Sequence, residues 1–260
     1  VLFRIILNNT LNITIFATKD QKYMFHTVKT SVKPYMKLSD LIDDNPLLLL
    51  MLQHFNIDFR VIDLTVSQLC LEYKISDNLF ISIANLYNGF GTKENETFSK
   101  TDLLQVIDFL ENTHVYYRSD KYPQIRNYIT QLQQNHPAKE LKLIEKFFDE
   151  YFNEVIEHLD YEDKVAFPYF ITLLKKQKGK SDYVPYSSND YNDHHTDIEL
   201  KLQDLKNLLL KYVKIDGDLD LRRRLFFALY ELEFDLYIHS QIEETILIPS
   251  GICIENEQEL

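Results

Sequence analysis

Glycine and proline are scarce in this chain, five and seven in 260 residues. A turn-rich β fold needs far more of both, so the shortage excludes that class and favours long uninterrupted helices. Cysteine is nearly absent. Cys70 and Cys253 lie far apart and form neither a disulfide framework nor a metal-spaced pair, which suits a reducing, cytoplasmic setting. No stretch has the apolar length needed to cross a bilayer. Val1–Ala17 is apolar but is broken by Arg4, Asn8, Asn9 and Asn12, and it lacks the basic start and small-residue cleavage site of a signal peptide. Residues 1–33 are therefore read as an extension outside the folded core. Basic residues are outnumbered, 28 Lys and Arg against 40 Asp and Glu, a formal charge of -12. That balance disfavours nucleic acid and anionic membrane as partners.

What is present is helical patterning, in a chain that is 45% hydrophobic and 26% charged. Residues 34–98 read as a small helical domain. Ser39 is placed to cap a first short helix, Asn45-Pro46 to open a second, and Thr65 with Gln68 to form a capping box on a third. A fourth runs from Asp77 to a stop at Gly89. Few apolar residues remain for a private core, so this domain is expected to lean on the longer helices after it. Gly89–Glu96 reads as a linker.

Residues 99–260 carry four longer apolar stripes at alternating spacings of three and four, the seam pattern of an antiparallel four-helix bundle. The first passes through Leu103, Ile107, Leu110, His114 and Tyr117, meets Pro123, and resumes at Ile125, Ile129 and Leu132. The second runs Ile144, Phe148, Tyr151, Val155, His158, Glu162, Val165, Tyr169. Lys175–Asn192 reads as a polar loop. The third is His195, Ile198, Leu202, Leu205, Leu209, Tyr212, with His194 one residue off register. The fourth is Leu221, Leu225, Ala228, Leu232, Leu236, His239, Glu243, Ile246. The expected class is all-α.

One pattern occurs twice. His158 to Pro168 and His239 to Pro249 each read His, three residues, Glu, an acid, four residues, Pro. A His and a Glu four apart share one helix face. Six polar side chains thus lie on otherwise apolar seams: His114, His158, Glu162, His195, His239 and Glu243. Two carboxylates in an apolar core need cations, and no Lys or Arg falls on the same seams nearby. Four imidazoles and two carboxylates can hold two divalent ions, with hardness and ligand number that suit iron or manganese better than zinc. Ferritin-type sites use Glu-x-x-His and more carboxylates, so this is a different class. Asp160, Asp163, Asp235 and Glu244 are candidates to orient imidazole N–H groups, and Tyr117 to hydrogen-bond a small ligand on the metal. His26, His54 and His136 fall off the seams and are read as surface residues.

The combination of Thr113-His114-Val-Tyr-Tyr-Arg118 with Pro123, His158–Pro168, His195–Leu202 and His239–Pro249 resembles the hemerythrin-like domain of the iron-sulfur cluster repair di-iron proteins. The turn Phe55-Asn-Ile-Asp58-Phe59 resembles that family's N-terminal domain, whose members usually carry two adjacent cysteines where this chain has Arg60-Val61. The resemblance implies a non-haem centre of two iron ions on the six named residues, nitric oxide or oxygen as diatomic ligand, damaged iron-sulfur proteins as partners, a homodimer, and a stress-response role. It leaves two function classes. One protects or repairs clusters; the other is a sensing or iron-storage module without chemistry of its own.

Overall fold

A computed structural model describes residues 30–60, 63–92, 96–175, 187–189, 191, 198–211 and 213–259. Its regular elements are all helical; the only β feature among the described residues is an isolated bridge between Lys37 and Thr65. Four short helices come first: α1 (Leu38–Asp44), α2 (Leu48–His54), α3 (Val66–Tyr73) and α4 (Asp77–Tyr87). The longer helices are α5 (Lys100–Tyr116), α6 (Tyr122–Asn135), α7 (Lys139–Tyr161), α8 (Phe167–Lys175), α9 (Ile198–Lys211), α10 (Leu219–Ile242) and α11 (Ile248–Glu259). None of the described helices is long and apolar enough to cross a membrane.

Local chemistry sets most of the ends. Thr65 and Gln68 form the expected capping box on α3, and Ser99 with Asp102 forms another on α5. Gly89 takes φ +77° after α4, a left-handed turn that costs glycine little. Ser39 does not cap α1. That helix starts at Leu38 with Lys37 as its uncapped N-cap, and the Ser39 hydroxyl turns to Asp40 instead.

Three π-turns interrupt the long helices: Tyr117–Lys121 between α5 and α6, Glu162–Ala166 between α7 and α8, and Glu243–Leu247 between α10 and α11. In each, the residue after the turn donates its N–H five residues back, Tyr122 to Tyr117, Phe167 to Glu162 and Ile248 to Glu243. The next residue is proline each time, Pro123, Pro168 and Pro249. Proline has no N–H, and its ring crowds the preceding turn. The widened turn admits it without ending the helix. An inserted residue also slips the register. Val165, expected on the seam, is 40% exposed, whereas Ala166 and Phe170 are buried.

Packing falls into two apolar clusters. In one, α6 packs on α7 and α10, and α9 packs on the same two, around Ile129, Phe148, Tyr151, Leu202, Leu205 and Leu232. The other joins α1–α4 to α5, α8 and the region of the third π-turn, through Met51, Phe80, Leu110, Phe167 and Ile246. The short N-terminal helices therefore have no core to themselves. Val32, within the stretch read as an extension, is itself buried and donates its N–H to Asn85.

Candidate metal centre

The boundary between the clusters is polar. Along the first seam, Leu110 belongs to one cluster and Tyr117 to the other, and His114 lies between them. On the second, Glu162 lies between Leu159 and Ala166; on the fourth, His239 and Glu243 lie between Leu236 and Ile246. Each of these side chains enters the interior beside a π-turn, where helices are often remodelled for a site. Glu162 and Glu243 are fully buried, and His114 and His239 nearly so.

Ligand-type atoms of His114, Glu162 and His239 all lie within 4.8 Å of one another. His114 Nε2 is 3.1 Å from Glu162 Oε2, and His239 Nε2 is 3.8 Å from the same oxygen. None of these three atoms has a hydrogen bond. His158 Nε2 meets the other oxygen of Glu162 at 2.9 Å, and His239 Nε2 lies 3.2 Å from Glu243 Oε1. Five of the six residues singled out in the sequence are thus brought together. His195, like His194, lies outside the described residues.

The imidazoles are held from behind. Asp163 Oδ1 takes the Nδ1–H of His114 at 2.6 Å, and Arg118 steadies Asp163 at 2.6 Å and Asp160 at 2.9 Å. The Thr113 hydroxyl donates to the Leu110 carbonyl at 2.7 Å, so its oxygen accepts the Nδ1–H of His239, also at 2.7 Å. Both rings then carry their proton on Nδ1 when neutral, and both aim the Nε2 lone pair at Glu162. Thr113 was not singled out in the sequence; its signal is its place one residue before His114.

Asp235, expected to orient an imidazole of the centre, does something else. Its Oδ2 pairs with His54 Nε2 at 2.9 Å and its Oδ1 accepts the Tyr87 hydroxyl at 2.7 Å. His54, read as a surface residue, is 1% exposed and rests against Phe109 and Tyr116. Tyr117 is fully buried, its ring 6.0 Å from that of His239 and its hydroxyl without a hydrogen bond. Tyr191 was missed altogether. Its hydroxyl lies between the two carboxylates, donating to Glu162 Oε1 at 2.8 Å and contacting Glu243 Oε1.

Burial alone would raise the Glu162 carboxyl, but the imidazoles of His114, His158 and His239 beside it outweigh that and hold it well below the usual range. Burial lowers His239, yet Glu243 and Glu162 lift it to about 10. His114 is also raised, with Asp163 and Glu162 overcoming burial. Among the described residues the ion pairs of Glu162 are all with imidazoles, so protons on these rings balance its charge when no cation does.

The donor set fits a metal. Convergent imidazole lone pairs and a carboxylate oxygen without hydrogen bonds, in a dry interior, are what a divalent transition ion replaces protons at. The cysteines offer nothing comparable. Cys70 is buried, its thiol pushed up to about 12 by burial, and Cys253 is exposed. Comparison with protein-family models, with curated proteins and with solved structures finds no match to the chain.

Asp163→Ala is expected to weaken metal retention about 10- to 100-fold, because His114 loses the partner that fixes its ring. Competition with a chromophoric chelator measures this. Unchanged retention would show that Asp163 serves only its ion pair with Arg118.

Proposed function

We propose that this chain is a non-haem di-iron protein of the iron-sulfur cluster repair type, in which residues 99–260 form an antiparallel, hemerythrin-like four-helix bundle preceded by a small helical domain. The observation that carries the reading is the buried convergence of His114 Nε2, Glu162 Oε2 and His239 Nε2, three ligand atoms with no hydrogen bond. His158 and Glu243 extend this set, and His195 would complete it.

Two bound ions would supply open coordination positions for nitric oxide or oxygen species, or iron for a damaged cluster. The chain's own residues do the rest. Glu162 and Glu243 bring the negative charge that draws cations into an apolar interior. Asp163 and Thr113 fix two imidazoles so that their lone pairs face inward. Phe167, stacked on His114 at 5.4 Å, and Tyr117, against His239, keep water from those rings.

The second reading is a sensing or storage module. It is favoured by Arg60, which stands where the resembling family carries a cysteine pair. One set of measurements tests both. Freshly isolated protein is expected to hold about two irons per chain, with an optical spectrum that changes on exposure to nitric oxide. Protein that is metal-free and refuses iron(II) sinks both readings. Restoration of a damaged cluster enzyme in vitro favours repair, and ligand binding without restoration favours the module.

A further inference from the structure

The two oxygens of Glu162 face unlike surroundings. Oε2 turns to the hydrogen-bond-free nitrogens of His114 and His239. Oε1 is occupied twice, by His158 Nε2 at 2.9 Å and by the Tyr191 hydroxyl at 2.8 Å, and the same hydroxyl contacts Glu243 Oε1. One side of the cluster is open to a cation; the other is closed by a phenol between the two carboxylates.

The Tyr191 segment is anchored there. Ser188 is fully buried, and its N–H and hydroxyl both donate to Glu255 Oε1 at 2.8 Å. The Tyr191 N–H bonds the Ser187 carbonyl at 3.2 Å, and its ring meets Phe170 edge-on at 5.8 Å. Gly251 on α11 permits this approach, since a Cβ at that position would collide with Ser188 and Phe170.

We propose that Tyr191 makes the metal centre asymmetric: the position formed by His114, Glu162 and His239 fills first, and the phenol hydroxyl, held between Glu162 and Glu243, keeps the second position closed until it is displaced. Tyr191 is then a positioning residue that sets the order of loading. The inference rests on the metal-site reading above.

The test titrates the metal-free full chain anaerobically with iron(II) against a chromophoric chelator. Wild type is expected to bind one ion tightly and a second at least about tenfold more weakly, the scale of losing one hydrogen bond to a charged group. Tyr191→Phe keeps the ring against Phe170 and removes the hydroxyl, so the ratio of the two dissociation constants is expected to fall about tenfold. Gly251→Ala displaces the segment without touching the site and should narrow the ratio in the same direction. Wild type that binds two equal ions overturns the role of Tyr191 and leaves the metal site standing. So does a Tyr191→Phe chain whose second ion binds no tighter, or a visible charge-transfer band in ferric wild type that Tyr191→Phe abolishes, which would make the phenol a ligand. Wild type that binds no iron overturns both.

Discussion

Glu162→Ala is expected to yield protein that purifies without the metal that wild type retains. No other described side chain touches so much of the cluster. One Glu162 oxygen lies 3.1 Å from His114 and 3.8 Å from His239; the other lies 2.9 Å from His158 and 2.8 Å from Tyr191. Its carboxyl stays ionised in a fully dry position because the neighbouring imidazoles outweigh the cost of burial. A buried cation left with one carboxylate in place of two loses several kcal/mol, at least about a hundredfold in affinity. Glu162→Gln keeps the volume and removes only the charge, and it should lose metal nearly as completely. Elemental analysis reads the outcome, with far-UV circular dichroism confirming retained helix. Either variant isolated with full metal would show that the cluster is not the binding site.

The seams were legible because a helix repeats its core face every three or four residues, and Leu202, Leu205, Leu225 and Leu232 all fall on schedule into the interior. The pairing of His158 with Glu162 and of His239 with Glu243 was legible for the same reason. Val165 was misread because a π-turn inserts a residue and breaks that schedule. Its signal was there, a proline six positions after Tyr117, Glu162 and Glu243 alike. Tyr191 was hidden in a stretch without periodicity, Lys175–Asn192, read as a loop although Ser188 and Tyr191 are helical and buried. Asp163 was visible as one acid among four candidates. Choosing it over Asp235 requires knowing that α5 and the second π-turn face each other, a tertiary fact that no local pattern contains.

His54→Ala is expected to destabilise the chain by about 3–5 kcal/mol, because it strips a buried carboxylate of its partner. Asp235 is wholly buried, and burial pushes its carboxyl up; His54 and Tyr87 outweigh that and hold it below the usual carboxylate range. The folded state therefore keeps Asp235 ionised, and without His54 only Tyr87 donates to it with good geometry. The same change opens a hole against Phe109 and Tyr116. At about 2–4 °C per kcal/mol, the melting temperature should fall by roughly 6–20 °C. The pH dependence has a definite sign. A carboxyl held low in the folded state stabilises fully above its unfolded value of 3.8, and that contribution is lost as pH falls through the folded value. The gap between wild type and Asp235→Asn should therefore close as pH falls below about 4. Location decides what else must happen. His54 ends α2, Tyr87 ends α4, and Asp235 sits one turn before His239 on α10, so a single carboxylate fastens two N-terminal helices to a helix of the candidate metal centre. Those helices share the apolar cluster of Leu110 and Phe167 as well. Thermal unfolding of wild type should then be one transition, and His54→Ala should lower it as a whole. Two separated transitions, with the N-terminal helices melting first and the metal-site spectrum untouched, would show that Asp235 couples nothing to the centre.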